Sequence, residues 1–284
     1  ILPVVWASPA FYGLLRLNLG VMPVGLQWAA ITVVVMGLAL VLVFGLLARS
    51  ATNLRIGLGH LATAHAGFAL VGLGSRTPQG IAAMVHIAAS LTLGVGLLGL
   101  AINAFEARRP SSAMTQCFGL SRQDPLLASL FVLGIFVLMG LPGLAGLWGP
   151  ILSLAGIFPR APFLALLAVV ALVFLGAMCF RFVTRMFEKA PEKSIPTLFS
   201  RNEWAVITLL VVFAVGLGFS PQTLFTLLDA VILDLHRLLD APGALQVPLV
   251  RRQHDQLAVG VVSLVGQRAS SQKSAVAGPR KGHL

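Results

Sequence analysis

The sequence predicts an all-α fold: a polytopic transmembrane helix bundle of about eight spans with discontinuous helices. Three observations carry that prediction. Of 284 residues, 57% are hydrophobic and 10% charged, with a mean hydropathy of +0.93, whereas a soluble domain carries roughly 25% charged residues. The apolar residues gather into stretches of span length that almost completely lack Asp, Glu and Lys. Lipid offers no partner to backbone N–H and C=O groups, so each stretch must be helical or have its breaks buried.

Taken in order, the apolar segments run at about Ile1–Leu17, Leu26–Ala48, Leu54–Leu73, Gly80–Phe105, Leu126–Leu141, Leu144–Phe158, Ala161–Phe187 and Trp204–Phe219. Two breaks are expected. Pro9 removes a helical donor inside the first segment, and the run Leu141-Pro142-Gly143-Leu144-Ala145-Gly146 divides a stretch too long for one straight crossing. A tight hairpin or a broken helix satisfies that stretch equally well. Glycines at 57, 59 and 67 and at 94, 96 and 99 favour close helix approach.

Three regions follow: 1–220 as the transmembrane bundle, 221–250 as an amphipathic interfacial helix, and 251–284 as a basic, poorly ordered tail. The chain opens on Ile1 without a basic leader and a cleavage site, so it reads as part of something longer or processed. The net charge of +11 sits in loops and tail rather than on one face, which points to a membrane surface and away from nucleic acid. With eight crossings, Arg49, Arg55, Arg108, Arg109, Arg122 and Arg160 fall on one side. Arg16, Arg76, Arg185, Lys189, Lys193 and Arg201 fall on the other, so charge sets no orientation.

Ionisable groups inside a membrane are costly, so they mark candidate pathways. No Asp or Glu precedes Glu106, none lies between Leu126 and Phe187, and the first lysine is Lys189. The remaining mid-membrane candidates are His60, His65 and His86, with Arg55 near a segment end. A neutral imidazole accepts and donates through opposite nitrogens, as a proton relay requires. His60 and His65 stand about 140° apart around a helix, so they do not share a face well, and a continuous relay through both would need bridging water or another helix. An equally simple reading makes each histidine a neutral interhelical hydrogen-bonding group. Arg181 and Arg185 precede Lys189 and read as snorkelling cations. Cys117 and Cys179 have no partner at metal or redox spacing. No nucleotide loop, haem or iron–sulfur ligand set or hydrolytic triad is present, so no catalytic centre, metal or cofactor is expected in this chain.

Four motifs occur in order. Tyr12-Gly13-Leu14-Leu15-Arg16 resembles "YGLLR", and the stretch from Asn53-Leu54-Arg55 to His65-Ala66-Gly67-Phe68 resembles "DLKRLVAYSSVSHMGF". Gly140-Leu141-Pro142-Gly143-Leu144-Ala145-Gly146 resembles "GLPGLSGF", and Arg201-Asn202-Glu203-Trp204 with the later Ser220-Pro221-Gln222 resembles "REW" and "YPQ". These belong to the antiporter-like subunit M (mitochondrial chain 4) of respiratory NADH:quinone oxidoreductase, complex I, and cover its C-terminal half. The resemblance implies one half of an inverted-repeat antiporter-like fold in which polar residues near the midplane relay protons.

It also implies departures. The family's buried lysine falls at Ser8, the acid after "GLPGLSGFVG" at Pro150, and the "DLKRL" lysine at Arg55. His65 matches a polar residue of the family's proton path, and His86 lies near a second. Serine holds no mobile charge near neutral pH and proline has no ionisable group. The resemblance thus implies a non-redox membrane-arm subunit of a proton-translocating NADH:quinone oxidoreductase whose lysine/acid relay is lost. Its partners are neighbouring membrane-arm, antiporter-like subunits and lipids. Its membrane is the mitochondrial inner or bacterial plasma membrane. Two alternatives stand beside it: half of a multisubunit cation/proton antiporter, and a structural membrane scaffold.

Overall fold

The computed structural model describes residues 13–14, 23–107, 118–188, 199–220 and 222, all within one compact unit, Ile1–Leu239. Eight helices make up the main described segments: α1 (Pro23–Ser50), α2 (Leu54–Ser75), α3 (Pro78–Glu106), the single turn α4 (Leu120–Gln123), α5 (Pro125–Met139), α6 (Trp148–Ile157), α7 (Pro162–Met186) and α8 (Arg201–Phe219). Five of them, α1, α2, α3, α7 and α8, are long and apolar enough to cross a membrane. Ser8, Pro9, Cys117 and residues 223–284, with the expected interfacial helix and basic tail, lie outside the described residues.

Local chemistry sets the helix starts. Asn53, Thr77 and Asp124 each accept a backbone N–H of the turn they precede, and proline occupies the opening turns of α3, α5 and α7. A first-turn N–H has no intrahelical partner, so proline loses nothing there. Ser200 and Glu203 close a capping box on α8.

Helices α2 and α3 form the centre; 61% and 67% of their span windows are buried inside the bundle, against 28%, 33% and 17% for α1, α7 and α8. A Cβ on Gly37 would sit 2.6 Å from the Gly67 carbonyl oxygen, and Ala30 and Val34 press on Gly74 in the same way. Alanine at any of these positions would push α1 off α2. Gly94 takes the Leu138 side chain, whereas Gly59 and Gly99 face open space. Only some of the predicted small-residue contacts therefore form.

The stretch Leu126–Phe158 is one broken crossing, not two. Helix α5 ends at Gly140, in the left-handed region (φ 79°), and Gly143 is also left-handed (φ 89°), which residues with a Cβ rarely adopt. The helix resumes at Trp148. Beside α3, Phe131 packs on Phe105, Gly134 on Leu98, Gly149 on Ile87 and Gly156 on Gly80. The pair α5/α6 therefore runs antiparallel to α3 from one face to the other. Counting its halves as two crossings gave one too many and inverted every later side assignment.

With that correction Arg49, Arg55, Arg122, Arg181, Arg185 and Arg201 stand at or near one face, and Arg76 and Arg160 at the other. Arg160 marks the change: its Nη1 donates to the Ser75 and Arg76 carbonyls at 2.5 and 3.0 Å, capping the C-terminus of α2. The described carboxylates Glu106, Asp124, Glu188 and Glu203 all belong to the Arg55 face.

Candidate functional site

The polar groups inside the bundle collect where α2, α3 and the break meet. His65 is fully buried on α2, and its Nε2 lies 3.1 Å from Ser90 Oγ on α3. Ser90 also donates to the Ile87 carbonyl at 3.0 Å. The other ring nitrogen of His65, Nδ1, is buried without a hydrogen bond, and the Leu138 backbone at the last turn of α5 approaches the ring. His86, 2% exposed, stands one helical turn before Ser90 on the same helix, so His86, Ser90 and His65 form a short line across the interior. Three residues along α2 from His65, the Phe68 carbonyl accepts the hydroxyl of Ser153 from α6 at 2.8 Å. Ser153 also donates to Gly149 at 3.0 Å.

The structure does not bring the other candidates to this line. His60 is half-buried on a different side of α2, its ring 5.6 Å from that of Phe44 on α1. Arg55 is at the membrane face, where it makes a two-pronged ion pair with Glu106 at 2.6 and 3.2 Å and touches Asn103 at 3.3 Å. Its side chain is 58% exposed, so it ties the start of α2 to the end of α3 and does not enter the interior. Pro150 is buried in the first turn of α6 and lines a groove facing α7 with Gly140 and Gly176. Pro142 lies at the break, exposed. Among the described residues, the membrane helices hold no lysine, and the buried carboxylate Asp124, 2% exposed, caps the start of α5 away from this line; no group of three His, Cys, Asp or Glu stands together as a metal site. Cys179 is a buried free thiol on α7.

Sequence reading passed over the groups that hold the break in place. Ala145 N–H donates to the Ala214 carbonyl at 2.9 Å, and Trp148 Nε1 to the Gly218 carbonyl at 2.8 Å. One helix, α8, therefore supplies the acceptors that irregular backbone requires at membrane depth. The available signal was Gly218 near the end of an apolar helix, where the absence of a side chain permits close backbone approach.

A helix broken inside the bundle, its irregular backbone buried against neighbouring helices, is a feature of secondary-transporter folds. The family model described as NADH:quinone oxidoreductase/Mrp antiporter, TM matches residues 1–176. The chain belongs to this family. It is a multi-pass protein of an energy-coupling membrane. NADH-quinone oxidoreductase subunit N 2 of Acidobacterium capsulatum is 32% identical over 191 residues, 63% of this chain and 37% of that protein. Relatives named subunit M and chain 4 also match. Respiratory complex I from Thermus thermophilus contains a chain of similar fold, with TM-score 0.74, 24% identity, and coverage of 81% of this chain and 49% of that one. The Mrp complex from Dietzia sp. DQ12-45-1b contains another, with TM-score 0.68, 19% identity, and 82% and 51% coverage. The chain thus spans less than half the length of the curated relatives and about half that of the solved chains.

Proposed function

We propose that this chain is a non-redox membrane-arm subunit of an NADH:quinone oxidoreductase, related to the proton-translocating antiporter-like subunits but lacking their lysine/acid relay, and that it holds no cofactor. The observation that carries the reading is the chemistry of the buried line. His65, Ser90, His86 and Ser153 are hydrogen-bonding residues with no lysine or carboxylate among them. Moving a charge through a low-dielectric interior needs groups that ionise reversibly beside partners that set when they do so. Pro150, where the resemblance puts the acid, lines an apolar groove facing α7, and Ser8 stands where it puts the lysine.

Partners of this subunit are neighbouring membrane-arm subunits of antiporter-like fold. The likeness to the Mrp complex chain supports a second reading, half of a multisubunit cation/proton antiporter. The two differ in what surrounds the chain, because only an oxidoreductase requires subunits with flavin and iron–sulfur groups. A complex purified in mild detergent through this chain is expected to contain them. In sealed vesicles, the variant carrying His65→Gln and His86→Gln is expected to keep the parent ratio of protons moved per electron pair. A lower ratio with assembly and electron transfer preserved would show that the chain pumps by a histidine route.

A further inference from the structure

Directly inside the Arg55–Glu106 clamp, the seam between α2 and α3 is hollow on its outer face. Arg55 reaches Asn103 across that seam at 3.3 Å. One helical turn farther into the span on each helix stand Gly59 and Gly99. Among the described residues nothing lies within 4 Å of a Cβ built on either, whereas Gly37, Gly67, Gly72 and Gly74 all press on neighbouring helices. The two empty glycines therefore open outward as a notch.

The surroundings of the notch are polar. Thr63, one turn past Gly59, is half-buried, with its hydroxyl on the Gly59 carbonyl at 2.9 Å. His60 is half-buried beside Phe44 of α1, about 9 Å along α2 from its start at 1.5 Å per residue. Among the described residues its ring makes no hydrogen bond. A neutral imidazole carries one donor and one acceptor, and hydrocarbon answers neither. Acyl chains suit the glycines but not the histidine. In the solved chains of similar fold the matched part is 49% and 51% of the chain, so the fold is accompanied there by as much protein again.

We infer that the outer face of α2 and α3 is an interface for a transmembrane helix of a neighbouring membrane subunit. That helix sets a bulky apolar side chain into the Gly59/Gly99 notch and a hydrogen-bonding side chain, such as Ser, Thr or Asn, against His60. Small residues at the contact and polar groups across it are what associate helices in lipid, where apolar burial supplies no drive. The inference rests on the reading of this chain as one subunit among antiporter-like neighbours.

The test uses the full chain in its purified membrane complex, with a photoreactive residue at Ile56, which is 54% exposed and lies between Gly59 and His60 around α2. Peptide mapping is expected to find position 56 joined to a transmembrane segment of another subunit. Gly59→Leu, whose Cβ meets nothing in this chain, is expected to cause loss of that subunit in mild detergent while this chain still accumulates in the membrane. Gly216→Leu on α8, equally open, is expected to retain it. His60→Phe is expected to weaken the association too, because the partner's polar group is left alone; for a histidine facing lipid or reaching the headgroups the change would be neutral. Capture of lipid or of this chain's own residues at position 56 overturns the inference, as does retention of the neighbour by either Gly59→Leu or His60→Phe. Flavin and iron–sulfur content of the same complex reports separately on the oxidoreductase reading. An assembly without those groups that still cross-links to another subunit at position 56 refutes that reading and supports the interface.

Discussion

Trp148 and Gly218, 70 residues apart, are joined by an indole N–H···O=C hydrogen bond of 2.8 Å. With Ala145 and Ala214 this makes α8 the cover of the helix break, although α8 is the least enclosed of the described spans. A side chain on Gly218 would collide with the Gly143 backbone. Trp148→Phe is expected to cost about 1 kcal/mol, the net worth of a hydrogen bond. Gly218→Val is expected to cost more, because the backbones must separate. Thermal unfolding of the detergent-solubilised complex, followed by loss of assembly, ranks the two; a Gly218→Val variant as stable as the parent would remove α8 from this role.

The corrected side assignment gives an orientation. Positive residues collect on the side of the membrane from which the protein is inserted, and Arg49, Arg55, Arg122, Arg181, Arg185 and Arg201 share one face against Arg76 and Arg160. Single cysteines at the exposed positions Ser50 and Gln79, in a chain without Cys117 and Cys179, report it. An impermeant thiol reagent added outside intact cells or mitoplasts is expected to label position 79 and spare position 50. The reverse pattern would invert the assignment.

What was legible in the sequence was what composition and punctuation encode. Hydropathy placed the spans α1, α2, α3, α7 and α8 within a few residues, and Pro142 with its flanking glycines located the break. Hydropathy could not say whether that break reverses the chain, because a hairpin and a discontinuous helix have the same apolar profile. The antiparallel register of Phe131 on Phe105 and Gly156 on Gly80 decides it. Among the candidate residues, the angle between His60 and His65 foretold their separation. The partnership of His65 with Ser90, 25 residues away, depends on the rotation of α3 about its axis, which no local pattern specifies.

Arg55 and Glu106 clamp the ends of α2 and α3 at the membrane face. Their side chains are 58% and 31% exposed, so water and salt screen much of the attraction. Glu106→Gln is expected to lower stability by less than about 1 kcal/mol, an effect shrinking as salt is raised. It is expected to leave proton movement in vesicles unchanged. A loss of proton movement with assembly intact would mean that Arg55 belongs to a conducting path and not to a clamp.

The buried pair His65 and Ser90 separates a structural from a conducting interior. Ser90 Oγ serves the His65 Nε2 and the Ile87 carbonyl together, with both side chains fully buried. Removing one partner from such a contact leaves a buried polar atom unsatisfied and costs about 1–3 kcal/mol, whereas replacing both by apolar groups of similar shape is nearly neutral. Ser90→Ala alone is therefore expected to destabilise the complex more than Ser90→Ala combined with His65→Phe. That order reverses simple additivity, with a coupling of about 1 kcal/mol or more. Thermal unfolding of the parent, the two single variants Ser90→Ala and His65→Phe, and the double variant measures it. If the pair is structural, the double variant also keeps its share of protons moved per electron pair, because nothing that changed charge has been removed. If His65 passes protons, stability recovers in the double variant while the proton ratio falls, and the two readouts part.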